Sequence, residues 1–277
     1  MRILDVSVIT SAVRDLFVQA NYHLPEDVYC ALCKRKDQET EEPASSMLGI
    51  LCENAKAAKE GVPICQDTGM AVVFAEIGQD VHLTGGLFRD AVNEGVRLAY
   101  DQGFLRKSVV SDPLLRANSG DNTPAVLYTD LVSGEKIRLH ALPKGFGSEN
   151  MSRIKMFNPT ASRKEIVDFI TETVKLAGGN PCPPLVIGVG IGGTFDHAAY
   201  LSKKALLRSL EERHPVHGDL EEQILCAVNQ SGVGVQGLGK GVTALGVSIE
   251  TYATHIAGLP VAVNISCHAT RHASVTL

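Results

Sequence analysis

PPLVIGVGIGGT, residues 183–194, admits two readings, and the choice between them decides the fold. LVIGVGI is continuous apolar sequence bounded by Pro-Pro and Gly-Gly, the signature of a buried strand. Gly188, Gly190 and Gly193 then satisfy G-x-G-x-x-G after a strand and before a helix, with Glu211 near the position of a ribose-binding acid. That reading makes the chain a doubly wound nicotinamide-binding protein. Two facts weigh against it. A dinucleotide unit usually opens its domain, whereas this stretch lies deep in the chain, and Gly232, Gly234 and Gly237 match the same pattern again. A pattern met twice by a chain with 26 glycines carries little specificity. The strand is therefore read as one element of a mixed α/β (α+β) fold.

The flanking sequence supports that class. Residues 6–20 place Ile9, Val13, Phe17 and Ala20 at helical spacing, residues 25–36 open with Pro25, and residues 46–60 run to a stop at Gly61 and Pro63. MAVVFAEI at 70–77 reads as a strand, followed by a helix from Leu87 to Gln102. AVLYTDLV and KIRLHAL read as a hairpin turning at Ser133-Gly134. Ser162 with Glu165 forms a capping box for a helix to Gly178, residues 196–213 give another, and Asp219 with Glu222 cap a third up to Gly232. Two strands around Gly258-Leu259-Pro260 end near Cys267. Helices and strands interleave without a Pro- or Ser-rich linker, so residues 1–277 are read as a single domain.

Composition excludes several functions. With 44% apolar residues and a net charge of −5, the chain has the material for a large core and no basic footprint for nucleic acid. The first apolar stretch is interrupted by Asp5 and Arg14, so neither a signal peptide nor a membrane span is expected, and the expected location is cytoplasmic. Seven cysteines, an odd number, then point to reduced thiols rather than a disulfide framework.

The thiols fall into two groups. Cys30, Cys33, Cys52 and Cys226 lie within helices and read as small buried hydrophobes; the CALC pair has no second half-site at zinc spacing. Cys65, Cys182 and Cys267 each sit at an element boundary, Cys65 in the polar bend PICQDTG. They are too far apart in sequence for a local knuckle, so any shared metal site has to be assembled by the fold. Two glycine-rich stretches remain. GVQGLGKG at 234–241 imitates a phosphate loop but has Gly241 where a Ser or Thr should meet magnesium, which argues against ATP. KGFGSEN at 144–150 has glycines that let backbone approach an anion, with Lys144 beside them; a plain turn is the other reading.

Taken together, PICQDTG, LRKSVV (105–110), KGFGSEN, NPCPPLVIGVGIGGT, THIAGLPVAVN and the terminal CHATRH resemble the iron-dependent class I fumarases and their relatives the L-tartrate dehydratases. The motifs fit in order over nearly the whole chain, in particular the separate α subunit of the two-subunit forms. The resemblance implies β-sheets surrounded by helices, as in the N-terminal module of that family. It implies an oxygen-sensitive 4Fe-4S cluster on Cys65, Cys182 and Cys267, with one iron lacking a protein ligand and free to act as a Lewis acid. It assigns substrate binding to Gln66, Arg106 and Gly147, proton transfer to Asp67, and to His255, on the strand before Cys267, a catalytic place completing the wall of the site. His268, Arg271 and His272 line the cluster or a partner surface with less weight.

The expected activity is that of the α subunit of a class I fumarate hydratase, a hydro-lyase interconverting fumarate and L-malate. An L-tartrate dehydratase α subunit is the alternative, and a non-catalytic iron-sulfur or zinc module the alternative of another class. Because a dicarboxylate needs two cationic clamps and a base, and Arg106 is the one convincing clamp, a β subunit absent from this chain is expected to complete the site, in a dimer of αβ pairs. No nucleic acid or membrane partner is expected.

Overall fold

The computed structural model describes residues 1–277. In chain order its first elements are β1 (Arg2–Asp5), α1 (Val6–Tyr22), α2 (Glu26–Gln38), α3 (Ala44–Ala58), β2 (Met70–Gly78), β3 (Val81–Thr84), α4 (Phe88–Gln102), β4 (Val126–Val132) and β5 (Ile137–Lys144). There follow α5 (Phe146–Glu149), β6 (Arg153–Phe157), α6 (Arg163–Ala177), β7 (Leu185–Gly192), α7 (Phe195–Lys204), α8 (Gly218–Asn229), β8 (Ala244–Tyr252), β9 (Leu259–Ser266) and β10 (Ala273–Thr276). Sheets accompanied by helices make this the mixed α/β fold expected. None of the helices is long and apolar enough to cross a membrane.

Two compact units divide the chain. The first comprises Met1–Pro25, Ala57–Phe146 and Arg271–Leu277. Its α1 starts at Asp5, whose carboxylate accepts the Ser7 N–H, and the helical spacing of Ile9, Val13, Phe17 and Ala20 puts all four in the core. There α1 meets Val92, Val96 and Ala99 of α4. At Gly95 a Cβ would stand 2.7 Å from the Thr10 carbonyl oxygen, so the glycine permits the close helix–helix approach.

The sheet of this unit runs β10-β5-β2-β4, so the expected hairpin of β4 and β5 does not form. Instead β2 lies between them, parallel to β4 and antiparallel to β5. The reason is burial. Residues 71–75 of β2 are all buried, as suits an inner strand, whereas residues 129–132 of β4 are exposed, as suits an edge. The Ser133-Gly134 turn therefore leads β5 past β2 to its other side.

The second unit comprises Glu26–Lys56 and Gly147–Thr270, built on the sheet β6-β9-β7-β8. Here β7 is parallel to β8 and antiparallel to β9. Gly188 and Gly190 lie inside β7 rather than in a turn after it. A Cβ on Gly188 would be 2.0 Å from the Ser202 carbonyl oxygen, and one on Gly190 2.1 Å from that of Ala198. These glycines let α7 press its backbone onto the strand, so their spacing is accounted for by packing and needs no pyrophosphate. Lys240 of the second glycine-rich stretch is spent on an ion pair with Glu41 at 2.8 Å.

The expected capping box at Ser162 and Glu165 forms. Other boundaries differ. The helix expected over 196–213 stops at Lys204 and passes through a 3-10 turn, Ala205–Leu207, into irregular chain. A buried acid takes over there. Glu221 accepts the backbone N–H groups of His214 and Ile249 and pairs with Arg208, which fixes a non-helical path. Nor does Asp219 cap α8: the N-cap is His217, and Asp219 forms a paired contact with Arg163. Of the four cysteines expected to be buried, Cys52 is buried and Cys33 half-buried with its Sγ 3.5 Å away, but Cys30 and Cys226 are exposed on the outer faces of α2 and α8.

Candidate functional site

In the first unit the register of β2 against β5 pairs Met70 with Lys144, so the segment before β2 and the segment after β5 emerge side by side. This brings PICQDTG to KGFG. Ile64 anchors the bend, buried, with its N–H on the Asn21 carbonyl at 2.9 Å. Gly69 has φ +79°, and a Cβ there would lie 2.7 Å from the Lys144 backbone nitrogen, so no other residue fits without a shift. Lys144 is itself buried.

Asp67 is held at three points. Its Oδ1 accepts the Gly69 N–H at 3.0 Å and its Oδ2 accepts the Phe146 N–H at 2.8 Å. Its backbone carbonyl accepts from the guanidinium of Arg271, which is only 3% exposed. Gly145 is small where a Cβ would sit 3.3 Å from Oδ2. The carboxylate is thereby aimed by backbone donors while remaining half-exposed.

Tyr100 supports the same bend from below, its hydroxyl 2.7 Å from the Thr68 carbonyl and 2.8 Å from that of Gly69. One O–H can serve either carbonyl. Burial pushes the phenol pKa up, so the group stays a neutral donor. Thr68 in turn donates its hydroxyl to the Arg106 carbonyl at 2.8 Å, tying LRKS to the bend. Gln66 and Arg106 are exposed, and neither side chain is committed to a hydrogen bond or ion pair. Cys65 is half-exposed beside them.

The second unit holds the remaining residues. Cys182 follows α6 at φ +55°, a left-handed conformation that costs a non-glycine residue about 1–2 kcal/mol, and its thiol is exposed. Its carbonyl accepts the backbone N–H of His268 at 3.3 Å and lies 3.0 Å from the ring Nδ1 of the same residue. Gln236 braces the pair, donating to the Pro183 carbonyl at 2.6 Å. His268 adjoins Cys267, so within this unit the structure ties the segment bearing Cys182 to the one bearing Cys267. Gly147 lies by the same segment: a Cβ there would be 3.6 Å from the Asn180 carbonyl oxygen.

His255 differs from expectation. It lies in the turn after β8, not on the strand before Cys267, because β8 ends at Tyr252 and β9 begins at Leu259. The ring is exposed, and its Nδ1 accepts the Ala257 N–H at 3.1 Å, which leaves the neutral ring's N–H at Nε2.

Within neither unit do three or more His, Cys, Asp or Glu side chains form a group arranged to hold a metal ion. The donor chemistry nevertheless fits an iron-sulfur cluster. None of the seven cysteines is in a disulfide, and Cys65, Cys182 and Cys267 all have accessible surface at loops or strand ends. Sequence reasoning missed Tyr100 altogether and gave Arg271 a lesser place. A tyrosine on an otherwise apolar helix face, needing a partner for its hydroxyl, was the available signal.

A family model described as fumarate hydratase (Fumerase) matches residues 10–276, which makes the protein a hydro-lyase by class. A Methanocaldococcus jannaschii protein, provisionally named L(+)-tartrate dehydratase subunit alpha, is 42% identical over 274 residues, 96% of each chain. L(+)-tartrate dehydratase subunit alpha of Escherichia coli strain UTI89 is 30% identical over 276 residues, 98% of this chain and 91% of its own. The chain belongs to the fumarate hydratase family.

Proposed function

We propose that the chain is the α subunit of a two-subunit L(+)-tartrate dehydratase. The observation that carries this reading is similarity over nearly the full length to proteins with that name, one at 42% identity. It favours the alternative of the sequence reading over fumarate, for which the family description is the support. The subunit naming of the relatives likewise supports a β partner, and a dimer of αβ pairs is the proposed assembly.

Cys65, Cys182 and Cys267 are the proposed ligands of a 4Fe-4S cluster. When bound, such a cluster with one iron lacking a protein thiolate supplies Lewis acidity to a departing hydroxyl. The chain's own residues do the rest. Arg106, with an uncommitted guanidinium, clamps one carboxylate in a forked contact, and Gln66 and the backbone at Gly147 add hydrogen bonds. Asp67, aimed by two backbone N–H groups, is a proton carrier, and His255 presents Nε2–H as a hydrogen-bond donor in the wall of the site. Dehydration of tartrate removes a proton from one hydroxyl-bearing carbon and hydroxide from its neighbour. The enol formed tautomerises to a keto diacid.

The experiment is a steady-state comparison of L(+)-tartrate, L-malate and fumarate with the complex of this chain and its β subunit, reconstituted without oxygen. The reading expects tartrate to have the highest kcat/KM. A higher value for fumarate or malate would restore the fumarase reading, and no hydro-lyase turnover with any of them would leave the non-catalytic module.

A further inference from the structure

Asn122 belongs to none of the motifs that carry the resemblance, yet it is fully buried and joins two of them. Its Oδ1 accepts the N–H of Ser108 at 2.7 Å and of Val109 at 3.2 Å, both on the segment that presents Arg106. Its Nδ2 donates to the Gly69 carbonyl at 3.2 Å, on the bend that presents Gln66 and Asp67. The orientation of the amide is unambiguous, because two donors face one end and a carbonyl faces the other. The residue has φ +64°, a conformation that asparagine tolerates and most side chains resist.

We infer that Asn122 is a positioning residue that sets the spacing between the Arg106 clamp and the Gln66-Asp67 bend, and thereby the affinity for the substrate's carboxylate. The inference rests on the proposed reading that these loops face a dicarboxylate. Thr68 makes a second tie between the same loops, from its hydroxyl to the Arg106 carbonyl. Asn122 differs in kind. It holds two consecutive N–H groups just beyond Arg106, so it fixes the direction of that segment as well as its distance. An aspartate at this position keeps the acceptor for Ser108 and Val109 but sets a carboxylate oxygen against the Gly69 carbonyl, breaking the link while leaving each loop its own bonds.

The test uses the αβ holoenzyme with Asn122→Gly, which accepts the positive φ and removes all three side-chain bonds, and Asn122→Asp, which removes the link alone. Asn229 is the matched control. It makes the same kind of contacts elsewhere, accepting from Thr243 and Ala244 N–H and donating to the Ala244 carbonyl. Misplacement by about 1 Å costs on the order of 10²-fold in kcat/KM. Both Asn122 variants are expected to lose roughly that much, chiefly as raised KM, with the visible absorbance of the cluster unchanged. Asn229→Ala should lower Tm but leave KM within about twofold. Wild-type KM in Asn122→Asp, or an equal KM rise in Asn229→Ala, would overturn the inference. Should Asn122→Gly not fold, Asn122→Asp decides alone. Absence of wild-type turnover would instead refute the proposed function, so the two failures are distinguishable.

Discussion

Replacing Asp67 by Asn separates what the carboxylate holds from what it does. In the structure its two oxygens accept from Gly69 and Phe146. A hydrogen bond to a charged group nets about 1.5–3 kcal/mol when buried, and nearer 1 kcal/mol at a half-exposed site. The Asn amide keeps one acceptor and turns its NH₂ toward the other N–H, so about one such bond is lost. If positioning were the whole role, roughly 1–1.5 kcal/mol of loop distortion would lower activity by no more than about tenfold. Loss of a proton carrier adds about 10²–10⁴-fold. The expected result for the αβ holoenzyme is therefore a fall of at least about 10²-fold in kcat, with KM within a few-fold and Tm within roughly 5 °C of the parent. The assay is anaerobic steady-state turnover followed in the ultraviolet, beside a thermal melt. A kcat within tenfold of the parent would refute the proton-transfer role and leave Asp67 as a brace of its own loop.

Gly190→Ala would place a Cβ 2.1 Å from the Ala198 carbonyl oxygen, and overpacking at that approach should cost about 3 kcal/mol, read as a Tm drop of roughly 5–10 °C; an unchanged Tm would contradict the strand–helix contact. Burial, reinforced by Cys33, pushes the Cys52 thiol up to about 12, so alkylation at pH 8 followed by mass spectrometry should mark the exposed Cys226 long before Cys52. His214 lies below its ordinary value of 6.5, first through burial and then through His217 and Arg208, and its Nδ1 accepts the N–H groups of Val216 and His217. The unfolded chain therefore binds this proton first, so stability to urea should be full above pH 6.5 and fall below it, with a shallower fall in His214→Gln.

Much of this structure was legible as pattern. The buried face of α1, the capping box at Ser162 and the buried run of β7 each follow from local spacing that no distant contact overrides. What stayed hidden was partner choice. Nothing within AVLYTDLV or KIRLHAL says that β2 separates them, since a strand's neighbours are chosen by long-range burial. The end of α7 was likewise set from outside, by Glu221. At the site, motif order indicated the bend at Asp67 and the Arg106 segment, but the supports at Tyr100 and Asn122 are distant in sequence and carry no motif of their own, and nothing local in CHATRH says that Arg271 reaches the Asp67 carbonyl. The apolar residues around His255 suit a strand, whereas Ala257 and Gly258 turn the chain back on it.

The central claim is that Cys65, Cys182 and Cys267 hold an iron-sulfur cluster that serves a hydro-lyase. The most direct measurement is iron and acid-labile sulfide in the chain purified without oxygen, for the parent and for each cysteine replaced singly by serine. The account predicts equal amounts of iron and sulfide, near four of each per chain, with a brown absorbance lost in Cys65→Ser, Cys182→Ser and Cys267→Ser and kept in Cys30→Ser and Cys226→Ser. One zinc and no sulfide, or an intact cluster in Cys182→Ser, would contradict it.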